Sequence, residues 1–472
     1  MRNAIVTAAV LMLAAGAFAQ EPAMQAAQTD VTQQTDIAVT AYNNGIALVR
    51  DVRKLDLPQG EVELTFMDVA QQIRPETVGL RSLAQSGSVV ILEQNYEYDL
   101  ISPQKLMEKY VGKEVKLINF SDEIGFYEKT AELLSMNQGP VYRIENEIFL
   151  GHPGNVVVPE IPDNLIAKPS LIWQLKNNVG AQQLEATYIT GGISWKADYV
   201  LTLAKTDKSL DVSGWVTMDN QSGATYENAR LKLVAGDVNI ARPEPTRGGY
   251  AGAVAAKAVM APPMPKEEAF AEYHLYTIPR RTTIKQNQSK QVALLSGSGV
   301  ECTKIYEFRG QVQFYSSRFP AMKDQHVDVF LKFQNEEENG LGIPIPAGVM
   351  RIYQEDSEGM LQFAGEDRVD HTPKDEEIRL RMGKAFDVVA DRIQKDYSKI
   401  ADNVHEAEFE IIVRNHKEQD VVVDIVEPMP ADWDILRKSH DFVKKDAHTA
   451  IFSVPVPKDG KVTVTYRVRV RY

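Results

Sequence analysis

Apolar and polar side chains alternate with a period of two along most of this chain. In residues 210–218, Leu210, Val212, Val216 and Met218 share one face, while Asp211, Ser213 and Thr217 share the other. Successive side chains on a strand point to opposite sides, so this pattern predicts half-buried antiparallel strands. It recurs at 327–333 and 408–414. Strands so spaced predict β-sandwiches over 166–472. Residues 37–165 read as a second β region, with short runs at 37–42 and 61–66 set apart by the turn signals Asn43-Asn44-Gly45 and Pro58-Gln59-Gly60. The brief strands at 114–118 and 155–158 predict a small inserted β-barrel over about 113–160. Helices are few. Ser102 can cap and Pro103 can open one that stops at Gly112, and a segment at 386–395 fits either a short helix or a strand. The expected fold class is mainly β: antiparallel β-sandwich domains, a small inserted β-barrel and few short helices.

Two stretches lack any such period. Residues 20–36 are rich in Gln, Ala and Thr and read as a disordered lead-in. Residues 242–272 hold Pro243, Pro245, Gly248, Gly249, Pro262, Pro263 and Pro265 around an Ala-rich run. That composition cannot bury a core face and predicts a flexible loop interrupting the sandwich region.

The first residues change the picture of where the protein works. Arg2 precedes an apolar run from Ala4 to Ala15, followed by Gly16-Ala17-Phe18-Ala19. This predicts a signal peptide over 1–19, cut after Ala19, and hence a periplasmic or secreted protein. The run falls short of the roughly 20 apolar residues that span a bilayer, and no later stretch reaches that length, so no helical membrane anchor is expected in the mature chain. With 52 Lys and Arg against 65 Asp and Glu the formal charge is −13. A chain so acidic repels phosphate backbones, and no nucleic-acid partner is expected. Cys302 is the single cysteine, so an internal disulfide is excluded; beside the strand-like Ile305-Tyr306 it reads as a core residue rather than a nucleophile.

Several segments carry a family resemblance. They are Tyr188-Ile189-Thr190-Gly191-Gly192-Ile193-Ser194-Trp195-Lys196-Ala197-Asp198-Tyr199, Asn220-Gln221-Ser222-Gly223-Ala224-Thr225-Tyr226-Glu227-Asn228-Ala229 and Leu233-Val234-Ala235-Gly236-Asp237-Val238-Asn239. The later third adds Gly348-Val349-Met350-Arg351-Ile352-Tyr353, His371-Thr372-Pro373-Lys374, Arg414-Asn415-His416-Lys417 and Val462-Thr463-Val464-Thr465-Tyr466. From about Asp36 onward the chain resembles the bacterial family called domain of unknown function 4139. More distantly it is similar to mucoidy-inhibitor-like proteins, which share the β core and carry a coiled coil in the N-terminal half. That half shows no sustained heptads here. The resemblance implies a β fold and an envelope location, and supplies no catalytic residues.

Motifs for chemistry are thin. The eight histidines form no His-x-His pair and no His-Glu-x-x-His, so neither metal nor cofactor is expected. No Gly-x-Ser-x-Gly elbow and no phosphate-binding Gly-Lys-Ser/Thr occurs. The richest polar cluster runs from Gly365 to Glu377. Its His371, Asp370 and Glu366 are the candidate acid–base residues, weighed against a solvated turn in which Pro373 ends a strand. In the closing strand Tyr466, Val468, Val470 and Tyr472 oppose Arg467, Arg469 and Arg471, a pattern shared by a sandwich strand with a basic outer face and by the last strand of an outer-membrane barrel. The reading favoured is an exported, non-catalytic scaffold that binds an envelope protein or polymer. The alternatives are an envelope hydrolase acting near His371 and an outer-membrane β-barrel.

Overall fold

The computed structural model describes residues 24–121, 125–151, 154–162, 165–236, 238, 266–270 and 272–472. The expected signal peptide and residues 242–265 of the expected loop lie outside these; Lys266–Phe270, at the end of that loop, is a strand. Two compact units are present. One holds the described residues up to Asp36 together with Arg50–Tyr188, and the other holds Ile37–Val49 and Ile189–Tyr472. The division falls later than the 165/166 boundary read from the sequence because Ser170–Asn177 pairs back onto Gly60–Met67.

In the first unit a four-stranded sheet runs in the order Gln25–Thr29, Gly60–Met67, Ser170–Asn177, Val89–Glu97. Val62, Leu64 and Phe66 face Leu175, Trp173 and Leu171, all six fully buried. Trp173 meets Phe66 edge-on at 5.7 Å. Residues 20–36, read as a disordered lead-in, need correcting from Gln25 onward: Gln25–Thr29 is a strand parallel to Gly60–Met67. Asp30 then caps a 3-10 turn, accepting the Thr32 N–H at 2.8 Å. Short polar side chains hid the strand, because its pairing is made by backbone groups.

The expected small β-barrel also needs correction. A five-stranded antiparallel sheet is present, ordered Glu147–Leu150, Val141–Ile144, Gly125–Ser135, Glu114–Ser121, Asn155–Val157. Its edge strands, four and three residues long, do not pair, so the sheet stays open. Closure needs strands long enough to tilt and stagger into a ring. Here the helix Pro103–Lys109, capped by the Ser102 hydroxyl at 3.1 Å from the Lys105 N–H, joins the sheet's core instead. Met107 and Tyr110 pack with Val115, Leu117, Leu133 and Tyr142.

The second unit is built on a thirteen-stranded sheet. Its path includes Gln288–Arg309, 22 residues long, and Glu377–Ala401, 25 residues long. The 386–395 segment therefore lies within a strand. Val421–Pro428 and Thr449–Val456 belong to the same core as Val404–Asn415 and Gly460–Arg471. The Phe409 and Phe452 rings lie 5.1 and 5.3 Å from Tyr466. Inside this core sits an ion pair: Arg392 donates to both Glu427 oxygens at 2.7 and 3.0 Å, and the Tyr315 hydroxyl donates to Glu427 at 2.7 Å.

The closing strand Gly460–Arg471 buries Tyr466, Val468 and Val470. On its other face Arg467 and Arg469 reach Glu406 at 2.9 and 2.6 Å, and Arg471 reaches Asp432 and Asp434 at 3.0 and 2.8 Å. It pairs with Val404–Asn415 and Asp432–Lys438. No sheet among the described residues closes on itself, so the outer-membrane barrel alternative is set aside.

Four strands end alike. Asn177, Asn220, Asn335 and Asn415 are all buried, and each is preceded at −4 and −2 by buried apolar residues: Trp173/Leu175, Val216/Met218, Leu331/Phe333 and Ile411/Val413. Each amide donates to carbonyls of the following turn and of another segment. Asn415 reaches Gln419, Pro457 and Val456 at 2.8, 3.1 and 3.3 Å, and Asn335 reaches Ile343 and Pro373 at 2.8 and 2.9 Å. A side-chain amide supplies donors that a turning backbone cannot.

Candidate functional site

The acid–base candidates are placed by a hairpin of the second unit. Gly348–Glu355 pairs with Leu361–Val369, setting Glu366 opposite Arg351. The two form an ion pair at 3.2 Å. His371 follows the strand, where its Nδ1 accepts the Ala347 N–H at 3.2 Å. Asp370 is exposed, and its backbone carbonyl accepts the Thr372 hydroxyl at 2.9 Å. Among the described residues His371 and Glu366 are each engaged locally. No group of three or more His, Cys, Asp or Glu there is arranged to hold a metal ion. Cys302 is buried. Burial, with the Asp207 carboxylate adding to it, pushes its thiol up to about 11, which leaves little thiolate at neutral pH.

A different feature gathers chemistry in one place. Glu377–Ala401 pairs with Met322–Gln334, but the register breaks: His326 faces Val389 and Asp328 faces Lys384. Residues 385–388 thus stand opposite Val327 alone, a bulge that re-aims side chains. Gly383, at φ 148°, opens it in a conformation that L side chains rarely adopt. Ala385 turns inward, and Phe386 is thrown outward with 87% of its surface exposed. The His326 Nδ1 donates to the Ala385 carbonyl at 2.9 Å, and its ring lies nearly parallel to Phe386 at 6.3 Å. The imidazole therefore ties the bulge beside the exposed ring.

Beside the bulge is an open concavity of about 200 Å³ lined by Lys304, Tyr306, Met382, Lys384, Phe386 and Lys417, among others. Lys304 pairs with Asp207 at 2.6 Å. Lys417 stands 5.9 Å from the centre of the Tyr306 ring, its backbone N–H held by Asn415 at 3.0 Å. Neither Lys384 nor Lys417 makes an ion pair among the described residues, and the carboxylate at the rim is that of Asp387. In the first unit a second concavity, formed by Tyr96, Glu97, Tyr98, Asp99 and Lys105, differs in kind. There Asp99 is neutralised by Lys105 and Lys109, each at 3.4 Å.

Comparison with known families is decisive at one point: a family model described as a domain of unknown function, DUF4139, matches residues 184–472. The chain belongs to the DUF4139 family. No curated protein matches it. The DUF4139 match contains the whole bulge and its lysine-lined concavity. Sequence reasoning missed this site. Strict alternation puts Leu380, Met382, Lys384, Phe386 and Val388 on one face, and the bulge breaks that phase by exposing Phe386 and burying Ala385. The available signal was Gly383 inside a strand-like run, a mark of bulges.

Proposed function

We propose that this protein is an exported scaffold of the bacterial cell envelope that binds another protein or an envelope polymer without catalysing a reaction. The observation that carries the binding reading is the outward Phe386, on a bulge tied by His326, beside two lysines that make no ion pair among the described residues. Phe386 is the most exposed large apolar side chain among the described residues, at 87%, and it lines the concavity together with the lysines, so an apolar and a cationic contact are offered at one place. His371 and Glu366 support the non-catalytic half of the reading, since each is occupied by its own neighbour. The N-terminal Arg2, apolar run and Ala17-x-Ala19 pattern supports export.

A photo-crosslinking residue at 386 in the full chain, expressed in its native cell, tests the binding reading, with the fully exposed Asp402 as control. An adduct specific to position 386 is the expected result, and labelling no greater than at 402 would overturn it. Export is tested by intact mass in the envelope fraction. Loss of the first 19 residues is expected, and a protein retaining Arg2 would refute it.

A further inference from the structure

We infer that the concavity beside the bulge takes an acidic glycan, with a sugar ring against Phe386 and its carboxylate between Lys384 and Lys417. This rests on the binding reading above and names its ligand. Charge argues first. In a chain of net charge −13, Lys384 and Lys417, which make no ion pair among the described residues, share one concavity with a single acidic residue, Asp387, so the local balance of charge favours an anion. The ring argues second. Phe386, 87% exposed and with the His326 ring centre 6.3 Å from its own, presents a flat, strand-borne apolar face suited to the C–H face of a pyranose.

Backbone pairing argues against an extended peptide. Strand addition needs free main-chain groups at a sheet edge, whereas the Ala385 carbonyl is taken by His326 and the Asp387 carbonyl accepts the His416 N–H at 2.8 Å. Glu377–Ala401 also carries Met322–Gln334 along one side as far as Arg392 and Val404–Asn415 along the other from Val388 onward. A helix-in-groove partner needs a long apolar trough, and this concavity is small and ringed by lysines.

The test is calorimetric titration of the full chain with a galacturonate hexamer, a neutral glucose hexamer and an acidic peptide of glutamates with one central phenylalanine. Binding of the galacturonate is expected, weakening severalfold as salt is raised from low to physiological ionic strength. Phe386→Ala should lose about tenfold or more in affinity, the scale of one buried contact. Lys384→Gln with Lys417→Gln should lose as much and flatten the salt dependence. Because all three side chains project from the surface of the strand and turn, unchanged melting curves are expected and separate binding from folding. Equal binding of the neutral hexamer overturns the charge argument. Preference for the peptide overturns the glycan while leaving the binding reading intact. Binding of none of the three overturns this inference, and the crosslink at 386 then decides the scaffold reading separately.

Discussion

Arg392→Met should destabilise the C-terminal core by about 3–5 kcal/mol, the cost of leaving one buried charge without its partner. Arg392 and Glu427 are essentially inaccessible to water, at 1% and 0% side-chain exposure. Burial opposes the charge on Arg392, and the Glu427 carboxylate it meets outweighs burial, holding the guanidinium above its ordinary value. The phenols of Tyr315 and Tyr466 are pushed up by burial first and by the Glu427 charge second, so both stay as neutral partners at any ordinary pH. Methionine keeps most of the aliphatic length, and its thioether can still pack against Phe308 and Phe314, whose ring centres are each 5.2 Å from the guanidinium carbon. What it removes is therefore chiefly the two donors to Glu427, leaving Tyr315 alone. The backbone is shaped for the pair as well: a Cβ on Gly310 would collide with the Glu427 carboxylate and approach Arg392 at 3.1 Å. The assay is urea unfolding at pH 7 followed by tryptophan fluorescence, with Trp433 reporting from this core. Arg392→Met/Glu427→Leu should recover most of the loss, because removing both charges also removes the cost of burying them. A single variant within about 1 kcal/mol of wild type, the scale of an exposed pair, or a double variant whose loss is the sum of the two singles, would refute the reasoning.

Asn415→Ala should cost about 2–4 kcal/mol in the same assay, since it strands buried carbonyls at about 1–3 kcal/mol each; a loss below about 0.5 kcal/mol, the level of a surface change, would show that the amide is dispensable. Acid stability is set in part by Glu406, held below its ordinary value of 4.5 by Arg469 and, against burial, by Arg467, and by Asp391, held below 3.8 chiefly by Arg414. Depressed carboxylates contribute stability that is fully present above those ordinary values and is lost as pH falls through the lowered ones. Melting temperature should therefore drop below about pH 4.5 less steeply in Glu406→Gln than in wild type, and parallel profiles would contradict this.

Much of the architecture was legible because strand burial is written in the side chains. Residues 210–218 alternate as read, with Leu210, Val212, Val216 and Met218 buried, and Ser102 caps the helix as its sequence implies. What failed to show was set by the backbone or by distant pairing. Gln25–Thr29 buries only its last residue and is recruited by hydrogen bonds to a strand more than thirty residues away. The open five-stranded sheet and a closed barrel call for the same short runs of apolar residues, and differ in whether two distant edges meet.

The same distinction explains why the family resemblance speaks of fold and is silent on function. Trp195 and Asn220, from its most specific segments, are buried at 4% and 0% exposure, and Asn415, from another segment that carries it, is buried at 0%. Asn220 holds the Ala224 and Ile284 carbonyls, and Asn415 performs the equivalent task at a later strand. Residues that close turns serve the fold itself, whatever the chain binds. The concavity beside the bulge draws on different positions. Of its lining, Lys304, Tyr306, Lys384 and Phe386 fall outside the segments that carry the resemblance, and Lys417 falls inside one only because it follows the turn that Asn415 closes. Phe386 is exposed because Gly383 and His326 shape a bulge that alternation alone cannot reveal. Members that keep the buried asparagines can therefore change the residue at Phe386 without losing the fold, and ligand preference is expected to follow that position rather than the shared core.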